Sequence, residues 1–181
     1  KRNLITKNNY WELSKICATK TIKDLNGINH EIKQSIKKHL VSDVSVGLFY
    51  SGGIDSSIIL SETKSDIKPF TIKSSEKEYM EAGMTSDYNF AVNIAEHLNI
   101  NISSIDLTDK ETTNTDFLKL IEQVAIGNEE LMADFTFQSS KLLSQKVRDQ
   151  GFIVMLSGMG ADEIFAGYPR YKLVKYDYLF K

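Results

Sequence analysis

Apolar residues return along this chain in two rhythms, short unbroken runs alternating with longer stretches in which they recur every three or four positions. The runs are VSVGLFY (44–50), KPFTIKS (68–74), INISSIDL and FIVMLS (152–157), and they read as buried strands, the first ended by Ser-Gly-Gly. Ile28, Ile32, Ile36 and Leu40 lie four apart and predict a helix before the first strand. Ile54, Ile58 and Ser61 give helical spacing before the second, and Phe90, Ala91, Ile94, Ala95 and Leu98 share one face before the third. Between the third and fourth strands two helices are expected, one on Phe117, Leu118, Ile121 and Val124, the other on Leu142, Leu143 and Val147, with a break at Gly127. After the fourth strand, GMGADEIFAGYPRY turns into a final aromatic helix with Pro169 near its start. Residues 1–27 lack any such rhythm and read as a linker or N-terminal extension; the charged stretch 75–84 reads as a loop.

Strands that alternate with helices imply parallel pairing through right-handed crossovers. The predicted fold is therefore α/β, an open doubly wound parallel sheet with helices on both faces, occupying residues 28–181. In such sheets ligands bind beyond the carboxyl ends of the strands, in the crevice where strand order reverses. No solenoid repeat or low-complexity tract interrupts the pattern.

A chain of 181 residues is long enough for one substantial core. With 22 Lys+Arg against 24 Asp+Glu the formal net charge is −2, so no overall basic field invites nucleic acid or an anionic membrane, and any anion site must be local. The single cysteine, Cys17, permits no intramolecular disulfide and fits a reducing compartment; as a small apolar filler it carries no chemistry. No apolar segment approaches the ~20 residues that cross a bilayer, and the first 20 residues lack a secretory signal pattern, so a cytoplasmic location is expected. The chain opens on Lys1 rather than Met, which suggests a segment of something longer.

The candidate chemistry lies in the turns. In YSGGIDSS (50–57) a strand runs through two glycines into a helix, whose unpaired N–H groups and macrodipole favour an anion. Gly52 and Gly53 allow a backbone path that a side chain would obstruct, and Ser51, Ser56 and Ser57 add hydroxyl donors for phosphate oxygens. Asp55 would repel a phosphate unless a cation intervened, which argues for Mg²⁺; its place at a helix N-terminus should keep it ionised. A capped glycine turn without a ligand is the plain alternative. Neither GxxxxGK[ST] nor GxGxxG is present. A second turn, LSGMGADE (156–163), repeats the device: apolar strand, Ser-Gly, then an aspartate, Asp162. If the two strands flank the reversal point, Asp55 and Asp162 face one crevice, and two carboxylates suit an ion that takes few protein ligands beside phosphate oxygens. Acidic residues in a helix's first turn are also common for their own sake.

SGGIDSS resembles the pyrophosphate-binding loop of the ATP pyrophosphatase superfamily, shared with GMP synthetases and tRNA-modifying enzymes. Together with LSGMGADEIFAGYPRY it resembles the synthetase domain of the asparagine synthetase family, over residues 28–175. The resemblance implies an adenine nucleotide alpha hydrolase-like fold. It implies that Ser51, Gly52, Gly53, Asp55, Ser56 and Ser57 cradle the β/γ-phosphates of ATP and that Asp55 and Asp162 hold Mg²⁺. Phe49 and Ile72 would meet the adenine through their backbone, and Ser157 and Gly158 would also touch the nucleotide. The implied reaction is attack of a carboxylate on the α-phosphate, release of pyrophosphate, and capture of the acyl-adenylate by ammonia. Aspartate is the default acceptor, ammonia coming from glutamine in a glutaminase domain of the parent chain; a homodimer is compatible with the family.

Three departures stand out. Met159 occupies a position where asparagine synthetases commonly carry a glutamate, and a thioether cannot act as a base. No glutaminase half accompanies the chain, and a later family lysine would fall beyond Lys181, so the domain is expected to be truncated at its C-terminus and inactive alone. Alternatives are therefore a specialised amidotransferase acting on a sugar acid or peptide carboxylate, a β-lactam synthetase-like enzyme, or a nucleotide-binding domain without catalysis. A tRNA-thiolating enzyme would need reactive cysteines and a basic surface. His30, His39 and His97, on predicted helices, lack ligand spacing. Asp134, near Glu129 and Glu130, is a further active-site candidate, Tyr168 a candidate for the substrate pocket's border, and SSEKEYMEAGMTSD (74–87) a candidate lid or plain loop. PRYKLVKYDYLFK mixes basic and aromatic residues, but its helical spacing favours packing over nucleic-acid binding.

Overall fold

The computed structural model describes residues 24–73, 87–106 and 136–173, with isolated residues between 9 and 15 and between 119 and 127. It divides into two units, Lys1–Lys38 and His39–Lys181. The described part of the first is essentially helix α1 (Leu25–His39), whose start is capped where the Asp24 carboxylate accepts the Asn26 N–H at 3.0 Å. Ile28, Ile32 and Ile36 are half-buried along it, and none of its residues is fully buried. Leu40, expected as the helix's fourth apolar position, falls in the turn just past it and belongs to the second unit, packing within that unit's own core.

The second unit runs β1 (Val46–Phe49), α2 (Ile54–Thr63), a 3₁₀ turn (Lys64–Asp66), β2 (Lys68–Lys73), α3 (Asp87–His97), β3 (Ser103–Asp106), α4 (Thr136–Asp149), β4 (Val154–Leu156) and α5 (Ala161–Phe165). The four strands form one sheet in the order β3-β2-β1-β4, every neighbouring pair parallel. Phe49 pairs with Phe70, Ile72 with Ile105, and Leu48 with Leu156. The chain therefore steps outward from β1 to β3, then returns past β1 to add β4 on its other side. Strand order reverses between β1 and β4, the crevice position of a doubly wound sheet.

Alternation along the strands supplies a core on each face. Val46, Leu48 and Tyr50 point to one side, where they pack with Leu60 of α2 and with Ala91 and Ala95 of α3. Phe49, Phe70, Ile72, Ile105 and Met155 point to the other, against Leu143 and Val147 of α4. On that side Phe152 meets the Phe70 ring edge-on at 5.0 Å. The sheet is thus covered by helices on both faces, as expected from the alternation of elements.

Several particulars differ from the sequence reading. Each strand is shorter than its expected run, ending one residue early, and all but β2 also start two or three residues late, because only the hydrogen-bonded centre of each run pairs. In α2 the face turned inward is Ser56, Leu60 and Thr63, whereas Ile54 is 79 % and Ile58 39 % exposed. Thr63 can take an interior position because its hydroxyl donates to the Ile59 carbonyl at 2.8 Å. Phe90 of α3 also faces outward, and Ala91 and Ala95 alone are buried on that helix. The aromatic segment after β4 is not one helix: α5 stops at Phe165, Ala166 turns left-handed (φ 57°), and Pro169 opens a separate 3₁₀ segment over 169–173. Gly127 is itself helical, while Phe117, Leu118, Ile121 and Val124 lie outside the described residues, as do Cys17, Glu129, Glu130, Asp134 and loop 75–84. His30 and His39 lie on α1 and His97 closes α3. Among the described residues no helix is long and apolar enough to cross a membrane.

Candidate active site

Both glycine turns leave the carboxyl ends of adjacent strands, and they meet. The first leaves β1 through Tyr50 and Ser51, and Gly52 takes a left-handed conformation (φ 78°) with its Cα pressed on α3: a Cβ there would lie 2.6 Å from the Ala91 backbone nitrogen. Gly53 then starts α2 in an extended conformation with no side-chain cap. The first intrahelical bond runs from Ser57 N–H to the Gly53 carbonyl at 3.0 Å, so the N–H groups of Ile54, Asp55 and Ser56 have no partner inside the helix. Ser51 Oγ instead accepts the Gly53 N–H at 3.3 Å and lies 3.2 Å from Ser56 Oγ. Ser56 is buried and donates its one proton to the Gly53 carbonyl at 3.2 Å, which locks the turn's shape. Three N–H groups without an intrahelical partner at a helix start, with the macrodipole behind them, suit an oxyanion.

The second turn leaves β4 through Ser157, whose Oγ accepts the Met159 N–H at 3.4 Å. Gly158 passes so close to the start of α2 that a Cβ would stand 2.9 Å from the Asp55 Cβ and 3.0 Å from the Ser56 nitrogen. Glycine at this position is what lets the two turns touch. Gly160 (φ 94°) then leads into α5, which carries Asp162 and Glu163 in its first turn.

Between the turns lies a cleft of about 530 Å³, walled by Phe49, Ser51, Gly53, Asp55 and Ser56 from the β1 side and by Ser157, Gly158, Met159 and Asp162 from the β4 side. A smaller recess of about 180 Å³ adjoins it, sharing Phe49 and Ser51 and reaching Ile72. Of the described residues expected to bind nucleotide or metal, Gly52 and Ser57 stand off these walls: Gly52 is packed on α3, and Ser57 Oγ lies 3.5 Å from the Tyr50 hydroxyl. Met159 is 91 % exposed on the cleft wall. A larger hollow, about 750 Å³, sits at the opposite edge of the sheet between Ser45, Lys68 and Phe152. It lies at the amino ends of the strands, away from both glycine turns, and we assign it no chemistry.

The electrostatics differ from the expectation for Asp55. Burial first, and then the neighbouring carboxylates of Asp162 and Glu163, push the Asp55 carboxyl above the ordinary carboxylate range. Its position in the first turn of α2 does not outweigh burial together with two neighbouring like charges. Glu163 is shifted the other way, chiefly because its Oε1 accepts a 2.7 Å hydrogen bond from the Tyr168 hydroxyl, with help from backbone N–H groups and Arg170. The same bond raises the Tyr168 hydroxyl. Two carboxylate residues lining one cleft, one of them disfavoured in its charged form, are a fitting place for a divalent cation. Among the described residues no group of three or more His, Cys, Asp or Glu could hold a metal ion. An ion here would draw its other ligands from phosphate and water, as Mg²⁺ does.

Sequence reasoning missed Ser140 and Leu143 of α4, Met155 and Glu163, which also line the cleft. Leu143 and Met155 looked like core, and Glu163 like a favourable charge in a helix's first turn; Ser140 carried no signal at all.

A family model described as asparagine synthase matches residues 27–179. The chain is 33 % identical over 164 residues to the glutamine-hydrolyzing asparagine synthetase B of Escherichia coli, covering 81 % of this chain and 28 % of that protein. It is 30 % identical over 171 residues to the glutamine-hydrolyzing asparagine synthetase 1 of Saccharomyces cerevisiae, covering 80 % and 30 %. It is 25 % identical over 182 residues to amidase chry2 of Gibberella zeae, covering 90 % and 26 %. The chain thus spans less than a third of the length of these relatives. With the match running through both glycine turns and all four strands, the chain belongs to the asparagine synthase family.

Proposed function

We propose that this chain is the nucleotide-binding core of an ATP-dependent, amide-forming ligase. The observation that carries the reading is the meeting of Asp55 and Asp162 across one cleft at the reversal of strand order, beside an uncapped helix start. In this reading the N–H groups of Ile54, Asp55 and Ser56, with Ser51, hold the β/γ-phosphates. The adenosine lies toward the recess between Phe49 and Ile72, against Ser157 and Gly158. Asp55 and Asp162 would hold Mg²⁺, which supplies positive charge to the polyphosphate.

The reaction we assign is attack of an acceptor carboxylate oxygen on the α-phosphorus, with the bond to the bridging oxygen breaking and pyrophosphate leaving. Ammonia, derived from glutamine in a glutaminase domain of the same protein, then displaces AMP to give the amide. Donors fixed on the leaving phosphates stabilise charge that grows as the bond breaks, which lowers the barrier rather than merely tightening binding. Ser51 and Ser56 are tied to the turn by their own hydrogen bonds, so this wall needs little rearrangement when the nucleotide arrives. Aspartate is the acceptor this reading takes first.

A second acceptor is favoured by one observation. Met159 presents a neutral thioether, almost fully exposed, on the wall where the carboxylate would approach. It offers neither a base nor a charge, so a bulkier or less polar carboxylate fits the wall as well as aspartate does. The test is pyrophosphate release by the intact protein with ATP, Mg²⁺ and a panel of carboxylates. Release stimulated by aspartate supports the first reading, and release stimulated by another acid alone supports the second. Release with none contradicts the ligase assignment.

A further inference from the structure

Three carboxylates line the cleft, yet Asp55, Asp162 and Glu163 do not form a three-ligand metal group. Asp162 and Glu163 are consecutive, so the helix turns them about 100° apart, but a glutamate side chain is long and flexible enough to swing back. Something must hold it aside. Helix α5 ends in the left-handed Ala166, and the Gly167 N–H returns to the Asp162 carbonyl at 3.0 Å. This reversal brings Tyr168 beside Glu163, where its hydroxyl donates to Oε1 at 2.7 Å. The Tyr168 ring is held in turn: the Arg170 guanidinium lies 4.3 Å from its centroid, and the Tyr171 ring packs at 5.7 Å.

We propose that Tyr168 is a positioning residue that ties the Glu163 carboxylate away from the ion held by Asp55 and Asp162. The proposal rests on the metal assignment made above. Its consequence is chemical. With two protein carboxylates an octahedral ion keeps positions open for phosphate oxygens and binds well only together with the nucleotide. A third carboxylate would raise the charge at the ion and fill one of those positions, so metal would bind without nucleotide and the phosphates would compete for the site.

The experiment is Mn²⁺ binding to the intact protein, followed by the loss of the free-ion paramagnetic resonance signal, with and without ATP. In wild type, Mn²⁺ should bind weakly alone and markedly tighter with ATP. Tyr168→Phe, which keeps the ring and its stacking but loses the hydroxyl, should bind Mn²⁺ alone about tenfold tighter. Glu163→Gln placed on top of Tyr168→Phe should restore the weak wild-type binding, because the third charge is gone. A tyrosine that served only the fold would weaken binding when altered, so a gain cannot arise from damage. Unchanged or weaker Mn²⁺ binding in Tyr168→Phe overturns the proposal, as does a double variant that stays tight. Should Tyr168→Phe fail to fold, Glu163→Gln alone decides: ATP-dependent Mn²⁺ binding within twofold of wild type supports the proposal, and a larger loss makes Glu163 a ligand and overturns it. Asp55→Ala separates the two levels. If it leaves Mn²⁺–ATP binding intact the metal assignment itself fails; if it abolishes that binding while Tyr168→Phe changes nothing, only the positioning role fails.

Discussion

Replacing Gly158 by alanine probes the contact on which the cleft depends. A Cβ at Gly158 would stand 2.9 Å from the Asp55 Cβ and 3.0 Å from the Ser56 nitrogen, where ordinary contact begins near 3.4 Å. The start of α2 and the β4 turn would have to separate by about half an ångström. Neither neighbour can swing aside, because one is the root of a side chain and the other is backbone. Overpacking of this kind costs about 1–3 kcal/mol. The same movement carries Asp55 away from Asp162, and about half an ångström exceeds the ~0.2 Å tolerance of metal–ligand distances. Gly158→Ala should therefore lose stability in urea and also weaken Mg²⁺–ATP binding by about tenfold, roughly 1.4 kcal/mol. Gly151→Ala is the control. It too has a positive φ (88°), but no atom lies within 4 Å of its added Cβ, so it should lose about 1–2 kcal/mol from backbone strain alone and keep its nucleotide affinity. Wild-type stability together with wild-type affinity in Gly158→Ala would refute the argument that this approach builds the site.

Other expectations follow from single residues. Gly52→Ala combines a left-handed conformation with a Cβ 2.6 Å from the Ala91 backbone, and should cost more than about 3 kcal/mol, read as loss of the cooperative thermal transition or of soluble expression. Asp55→Asn should stabilise the ligand-free protein at neutral pH while weakening nucleotide binding. The folded Asp55 pKa lies above the unfolded one, so ionisation opposes folding. The variant's gain in melting temperature should shrink as pH falls through the raised folded value and vanish below about 4; a loss at neutral pH would contradict the electrostatics of the cleft. Ala166→Gly relieves a left-handed helix end and should raise stability by about 1 kcal/mol in urea, and a decrease would show that the turn is not under strain.

Much of this was legible in the sequence because each strand is a compact apolar run and each turn carries its glycines in order. The neighbourhood of β1 and β4 could be expected from crossover rules, since two similar turns in a doubly wound sheet have one crevice to share. Side-chain particulars were less accessible. Periodicity pointed to Ile54 and Ile58 as the inner face of α2, but the helix turns Ser56, Leu60 and Thr63 inward, and two of those three are polar residues whose hydroxyls bond to main-chain carbonyls. Local position suggested a carboxyl held in its charged form, whereas burial first, and then Asp162 and Glu163, far along the chain, push Asp55 upward. Tyr168 was identifiable as a border residue, but its bond to Glu163 follows from the left-handed Ala166, which no residue preference announces.

The central claim is that Asp55 and Asp162 grip one ion over one triphosphate. Calorimetry of ATP binding with and without Mg²⁺, on wild type, Asp55→Ala, Asp162→Ala and the double variant, tests it directly. Each single variant should lose the metal-dependent part of the affinity, and the double should be no weaker than the worse single, because the shared ion is lost already in each. Losses that simply add, or a single variant that binds Mg²⁺–ATP as wild type does, would contradict it.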